Sequence, residues 1–247
     1  MSTPVNQSPL ADVDGRWRRW IGDLWPARCL ACAEAGLPGR DLCAACFAAL
    51  PWNHHACARC ATPLPAPGDT VSPQVCGACL RRPPPVQAAH AAFLYAAPLD
   101  RLLPRFKFHH DLAAGRLLSQ LMVQALAGAG RPQALLPIPL HHARLRTRGY
   151  DQALELAKPL ARALRLPMLP DALRRIRATA PQSELDAARR RRNLRHAFDV
   201  RRDAPLPAHV ALIDDVMTTG ATLHAAADAL RRAGVARVDA WVCARVP

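Results

Sequence analysis

The stretch Val210-Ala-Leu-Ile-Asp-Asp-Val-Met-Thr-Thr-Gly-Ala-Thr-Leu223 decides how this chain is read. An apolar run, Val210 to Ile213, ends in two adjacent carboxylates, Asp214 and Asp215. A loop of small and hydroxyl-bearing residues follows, and Leu223 to Ala233 then has the pattern of a helix. Strand, loop and helix in that order form the βα unit of an open parallel sheet, in which ligands bind beyond the carboxyl ends of the strands. The loop residues Thr218, Thr219, Gly220, Ala221 and Thr222 carry no bulky side chain. Gly220 can take φ > 0 and lets the backbone come close to a ligand. Amides at the start of the following helix, with the positive end of its dipole behind them, make a phosphate site. Carboxylates just upstream suit a polyol such as the hydroxyls of a ribose, or a hydrated Mg²⁺. The plain alternative is a tight turn with an acidic cap. Two adjacent carboxylates on the buried side of a strand are costly without a partner, which favours the ligand site. No Gly-Lys-Ser/Thr is present, so this is not a Walker A loop.

Working outward, 247 residues suffice for one α/β domain and a small module. No run of about 18 uncharged apolar residues exists, so no membrane span is expected. The first residues, Met1 to Asp14, are polar and lack the apolar core of a secretory signal, so a cytoplasmic location is expected. The net charge is +14, which points to an acidic partner, either nucleic acid or phosphorylated small molecules. Nearly all of that charge is arginine, since Lys107 and Lys158 are the only lysines. Abundant arginine, alanine and proline also follow from a GC-rich genome, so codon usage competes with nucleic-acid binding as the cause.

There are nine cysteines, and eight fall into pairs two residues apart: Cys29/Cys32, Cys43/Cys46, Cys57/Cys60 and Cys76/Cys79. Four thiolates satisfy tetrahedral Zn²⁺, and each such set is closed, as in a structural site. Sequential pairing groups Cys29, Cys32, Cys43 and Cys46 in one site and Cys57, Cys60, Cys76 and Cys79 in the other. An interleaved pairing uses the same residues. A reducing compartment disfavours disulfides. A segment this short, rich in Pro and Gly, has little core of its own, so metal binding would hold it folded. His54 and His55 are alternative ligands that read better as a solvated turn. Cys243 stands alone in an apolar run and reads as core.

Residues 1–25 contain Trp17, Trp20, Ile21, Leu24 and Trp25 at helical spacing, an amphipathic helix expected to dock on the protein's own body rather than on a membrane surface or a partner. Residues 26–82 form the double zinc ribbon. Pro83-Pro-Pro85 is a stiff connector, and residues 86–247 form the α/β domain. There, Ala88 to Tyr95 reads as a strand, and Leu99 to Phe108 and Leu112 to Ala127 as helices. Leu135 to Leu140 reads as a short buried strand broken by prolines. Residues 150–164 read as a helix, and Leu166 to Leu169 as a strand. Arg174, Arg175 and Arg177 lead into a polar segment carrying Arg189 to Arg192. Guanidinium groups match phosphate oxygens in bidentate geometry, so this segment reads as a hood closing over pyrophosphate.

Taken together the residues resemble the ComF competence family (ComFC/GntX-like proteins) over about residues 20 to 245. The marks are the cysteine pairs, Lys107-Phe108, Pro137-Ile-Pro-Leu140, Arg148-Gly-Tyr-Asp-Gln152, Arg192-Asn-Leu-Arg-His-Ala-Phe198 and Asp214 to Thr222. The last of these also resembles the PRPP motif of type I phosphoribosyltransferases. The resemblance implies an α/β fold of that type, with an open, mostly parallel sheet behind a zinc module. It implies that Asp214 and Asp215 hold the ribose hydroxyls of Mg²⁺–PRPP, while Thr218, Thr219, Gly220, Ala221 and Thr222 wrap its 5′-phosphate. Arg144, Arg148, Arg191 and Arg192 are the candidates for the pyrophosphate. Family members usually read Phe-Asn where Tyr150 and Asp151 stand here, which leaves the role of Asp151 open. The family is linked to DNA uptake in natural transformation, with single-stranded DNA and a helicase-like competence protein as implied partners.

Two features narrow the chemistry. Purine salvage enzymes of this fold carry an acid where Thr218 stands, and a threonine is a poor general base. Residues 2 and 3 are Ser2 and Thr3, so no N-terminal nucleophilic cysteine serves glutamine-dependent amide transfer. The expectation is therefore a PRPP-binding protein, either a phosphoribosyltransferase with an unidentified acceptor or, alternatively, a single-stranded DNA-binding or partner-docking module in which the PRPP site is a sensor or relic.

Overall fold

A computed structural model describes residues 27–66, 73–177 and 197–247. The expected helix within residues 1–25 lies outside them. The chain falls into two compact units divided between Ala48 and Ala49. In the smaller unit, the isolated bridges Arg28–Ala35 and Leu37–Arg40 fold the backbone into tight turns, and a short helix α1 (Ala44–Ala48) follows. Leu42 and Cys29 are buried there.

The larger unit begins with the second cysteine cluster and the short helix α2 (Gly77–Arg81). Strand β1 (Ala88–Leu94) and the helices α3 (Leu99–Phe108) and α4 (Leu112–Ala125) come next. Then follow β2 (Ala134–Pro137), α5 (His142–Arg148) and α6 (Gln152–Leu164). Strands β3 (Leu173–Arg175) and β4 (Phe198–Val200) pair as a two-stranded antiparallel ribbon. The chain closes with β5 (His209–Met217), α7 (Ala221–Arg232) and β6 (Arg237–Arg245).

The main sheet has the order β1-β6-β5-β2, and every pairing is parallel. Central strands of such a sheet are covered on both faces and need unbroken apolar runs. Val210, Ala211, Leu212 and Ile213 meet that need, and all four are fully buried. Alternation along β5 and β6 assigns the faces. Val210, Leu212, Val238, Ala240 and Val242 pack in one cluster with Leu223, Ala226 and Leu230 of α7. Helix α6 packs on β5 and β2, and α4 packs on α6. Cys243 is buried in β6, where burial pushes its thiol pKa up, in keeping with a core role.

Four local differences from the sequence reading have physical causes. Strand β5 does not stop at Ile213 but runs through both carboxylates to Met217, because its register with β6 continues to the pair Met217–Arg245. The arginines 144, 146 and 148 lie on a helix, α5, which His141 caps by accepting from the Ala143 N–H and which ends at Gly149 with φ of 73°. Only glycine adopts that angle without strain. Leu166 to Leu169 forms one parallel bridge, Leu135–Met168, rather than a strand. Helix α6 starts at Gln152 because Asp151 caps it.

That cap gives Asp151 a role. Its carboxylate accepts from the Leu154 N–H at 3.1 Å and from the Leu140 N–H at 2.8 Å. It therefore ties the proline-rich loop after β2 to the start of α6. Burial pushes its pKa up, with backbone donors from Leu140 and Leu154 opposing the shift. Asp151→Ala removes both bonds and leaves the Leu140 N–H without this acceptor. A loss of about 2 kcal/mol is expected from the missing cap and bond, measured by urea unfolding, with Asp151→Asn, which keeps one of the two acceptor oxygens, losing roughly half of that.

Candidate functional site

Two features of this structure carry chemistry, the cysteine clusters and a pocket at the carboxyl end of the parallel sheet.

The cysteines group sequentially. Cys29, Cys32, Cys43 and Cys46 form one cluster and Cys57, Cys60, Cys76 and Cys79 the other, with all sulfurs of a cluster within 4.8 Å of one another. Cys32 and Cys43 sulfurs lie 3.6 Å apart, and Cys60 and Cys76 sulfurs 3.7 Å apart. Zn–S bonds of about 2.3 Å in a tetrahedron put sulfurs about 3.8 Å apart, so the donor sets fit two structural zinc ions. Backbone N–H groups turn toward the sulfurs, Cys46 to Cys43 at 3.4 Å and Cys76 to Cys57 at 3.3 Å. Each cluster holds thiols of both kinds. Against burial, backbone donors bring Cys29 down to about 6 and Cys57 down to about 7. Neighbouring Cys32 and Cys43 push the Cys46 thiol up to about 12, and burial pushes Cys79 up. A divalent cation removes that difference and holds all four as thiolates. His54 belongs to neither cluster among the described residues; its ring stacks beside Trp52 instead.

The pocket has a volume of about 620 Å³ and opens where β2 and β5 end. Adjacent residues of a strand face opposite sides, and here that alternation separates the environments of the two carboxylates. Asp215 meets α3, where Lys107 Nζ lies 2.7 Å from its Oδ2. The charge of Asp214 reaches Arg175 across the pocket. Each carboxylate also accepts the next backbone N–H, Asp215 to Asp214 at 2.9 Å and Val216 to Asp215 at 2.7 Å. Burial first, and the charge of Asp215 second, raise the pKa of Asp214 from 3.8 to about 7, with Lys107 opposing.

Cations surround this acid pair. Lys107, Arg144, Arg148 and Arg175 all line the pocket. Burial, and then Arg144, push Arg175 down to about 10, while burial, and then Arg148, lower Arg144. Arg148 donates to Gln152 Oε1 at 2.9 Å, and its guanidinium stands over the Phe108 ring at 5.2 Å. Arg175 stands over the Phe198 ring at 5.5 Å.

Behind the strand tip the small-residue loop turns into α7. Gly220 has φ of 73°, and a Cβ there would lie 2.6 Å from Met217 Cε and 3.0 Å from His224 Nε2. The positive φ is what favours glycine here, while the Met217 and His224 side-chain ends crowd any added Cβ. Ala221 N–H donates to Thr219 Oγ1 at 3.4 Å, and His224 N–H to the Gly220 carbonyl at 2.8 Å. Among the described residues, the N–H groups of Thr218, Thr219 and Gly220 meet no acceptor. Thr222 lies on the pocket wall, Thr219 is exposed, and Gly220 and Ala221 are buried.

Of the residues singled out from sequence, the structure brings together Asp214, Asp215, Thr222, Arg144 and Arg148 in one pocket. Arg191 and Arg192 lie outside the described residues. Two further cations join the site: Lys107, which the sequence reading gave only as a family mark, and Arg175, which it placed at the entry to the hood. Lys107 carried a signal, being one of two lysines at the end of an amphipathic helix. Nothing in the sequence separated Arg175 from Arg174 and Arg177, because only the alternation of β3 distinguishes it from exposed Arg174.

Comparison with known proteins adds a lineage. The double zinc ribbon domain family matches residues 21–80. Competence protein F of Haemophilus influenzae is 38% identical over 181 residues, covering 70% of this chain and 79% of that protein. DNA utilization protein YhgH of Escherichia coli K12 is 34% identical over 228 residues, covering 89% of this chain and 97% of that protein. Competence protein ComFC of Bacillus subtilis is 29% identical over 148 residues, 59% of each chain. No helix among the described residues is long and apolar enough to cross a membrane.

Two measurements test this geometry. Native mass spectrometry should find two zinc ions on the wild-type chain and one on Cys57→Ser, whose melting temperature falls because Cys57 is buried in the larger unit. Titration of stability tests Asp214. Its folded pKa is raised, so between about pH 4 and 7 the folded chain keeps a proton that the unfolded chain releases, and stability falls as pH rises. Asp214→Asn should flatten that part of the slope, by at most about 1.4 kcal/mol per pH unit.

Proposed function

This chain belongs to the competence protein F (ComF) family, and on that footing we propose that its pocket binds a 5-phosphoribosyl pyrophosphate with Mg²⁺. One observation carries the reading. A buried carboxylate, Asp215, a half-buried one, Asp214, and a ring of four cations, Lys107, Arg144, Arg148 and Arg175, share one pocket at the carboxyl end of a parallel sheet. A simple anion would suit the cations and repel the acids; a simple cation would do the reverse. A ligand presenting hydroxyls and a divalent ion to Asp214 and Asp215, and phosphates to the arginines and the Thr218–Thr222 loop, suits both.

The chain's own contribution to such chemistry is positional and electrostatic. Asp214 and Asp215 would orient the ribose and are the residues that would hold Mg²⁺, which would supply positive charge next to the phosphates. In the free protein Lys107 occupies Asp215, so it has to give way or turn to the phosphates as the ligand enters. The loop amides, at the N-terminus of α7, take the 5′-phosphate. The arginines would stabilise the charge of a departing pyrophosphate. The acceptor is unassigned, and Thr218 stands where a proton acceptor for a purine would be needed.

A second reading is favoured by the net charge of +14 and by the relatives named for competence and DNA utilization. It takes the chain as a single-stranded DNA-binding partner in DNA uptake, with the ribose-phosphate pocket as a sensor. Isothermal titration with PRPP and Mg²⁺ decides the first reading. Wild type should bind, and the double variant Asp214→Ala/Asp215→Ala should lose affinity by at least about 100-fold, about 2.7 kcal/mol. Affinity should rise with pH toward 7, because Asp214 must lose its proton to meet the cation. Equal binding by wild type and the double variant would reject the proposal. Single-stranded DNA should bind with a strong salt dependence if the second reading holds.

A further inference from the structure

The second cysteine cluster is built into the sheet of the larger unit. Trp52 bridges Phe93 of β1, their rings 4.6 Å apart, and Asn53 N–H donates to the Ala92 carbonyl at 3.1 Å. Ala89 N–H donates to the carbonyl of Ala58, inside the Cys57–Cys60 turn, at 2.9 Å. The end of β6 adds a charged tie. Half-buried Arg245 donates from Nε to the Cys60 carbonyl at 3.1 Å, from Nη2 to Thr62 Oγ1 at 3.0 Å and from Nη1 to the Met217 carbonyl at 3.3 Å.

Met217 is the last residue of β5, from which the Thr218–Thr222 loop departs. Its carbonyl also accepts from the Val246 N–H at 3.0 Å. One guanidinium therefore joins a metal-ligand turn to the root of the loop. Thr62 Oγ1 completes the connection, lying 3.3 Å from Cys60 Sγ. With Cys60 a thiolate, the hydroxyl gives its proton to sulfur and accepts from Arg245, so the bonds run in one direction from guanidinium to hydroxyl to thiolate. Four thiolates around one dication leave a net negative centre, and Arg245 is a cation placed against it. Outer partners of this kind orient ligands and hold the metal.

We propose that Arg245 is a positioning residue that couples the second four-cysteine centre to the ligand loop, so that metal held by Cys57, Cys60, Cys76 and Cys79 sets where the Thr218–Thr222 loop begins. The consequence for ligand affinity rests on the phosphoribosyl reading; the coupling itself does not.

The test uses the full zinc-loaded chain and two readouts that need no ligand. These are the rate of zinc release to a colorimetric chelator, and hydrogen exchange at the Val246 and His224 amides, which donate to the Met217 and Gly220 carbonyls. Arg245→Met should release one of its two zinc ions roughly 10- to 100-fold faster than wild type. Exchange should rise at Val246 and His224 while Val210 to Ile213 keep wild-type protection. Arg245→Lys, which still reaches one acceptor, should recover part of both effects, and Thr62→Val should reproduce the faster release. Cys32→Ser, in the first cluster, should lose one zinc and leave the loop amides as in wild type. Release at the wild-type rate from Arg245→Met overturns the coupling, and so does exchange that rises equally at Val210 to Ile213. If PRPP binds to no form of the protein while release and exchange behave as stated, the ligand reading falls and the coupling stands.

Discussion

Two carboxylates at the tip of a strand buried on both faces are tolerated because cations surround them. Asp215 is almost fully enclosed and holds Lys107 at 2.7 Å, while the charge of Asp214 is opposed by Lys107 and reaches Arg175. Isolated, either acid would cost several kcal/mol to ionise in such a place. The arrangement constrains everything around it. Helix α3 must deliver a lysine at its end, the β3–β4 ribbon must deliver an arginine, and the loop after β2 must be pinned by Asp151 to keep the pocket open between them.

Burial shapes the charges of this pocket. It raises the pKa of Asp214, with the charge of Asp215 adding to the shift and Lys107 opposing it. It lowers Arg144 and Arg175, each with a neighbouring arginine adding to the shift. Acids and bases that share one enclosed space in this way are the arrangement that the proposed phosphoribosyl ligand would need.

Much of this was legible along the chain, and for identifiable reasons. The zinc clusters follow from ligand type and spacing, since cysteines two residues apart can turn both thiolates onto one ion. Helix α3 was legible residue for residue because its apolar stripe is strong and Asp100 and Lys107 sit at its proper ends. The end of β5 was not. Polarity suggested a stop at Ile213, yet the ladder with β6 continues to Met217, because hydrogen bonding across strands does not depend on side-chain polarity. Helix α5 was also hidden. Its arginines form no apolar stripe, and its existence rests on a histidine cap and a left-handed glycine.

The sequence by itself determined the chemistry available: which thiols can hold zinc, which strand carries the acid pair, and which turn must be glycine. These depend on residue type and short spacing, which survive any folding. Only the tertiary structure decided which charges meet. Lys107 and Asp215 lie far apart in the chain, as do Arg175 and Asp214, and Arg245 and Thr62. Electrostatic and hydrogen-bond partners are chosen by distance in space, through strand register and helix packing, and no local pattern in the chain encodes those distances.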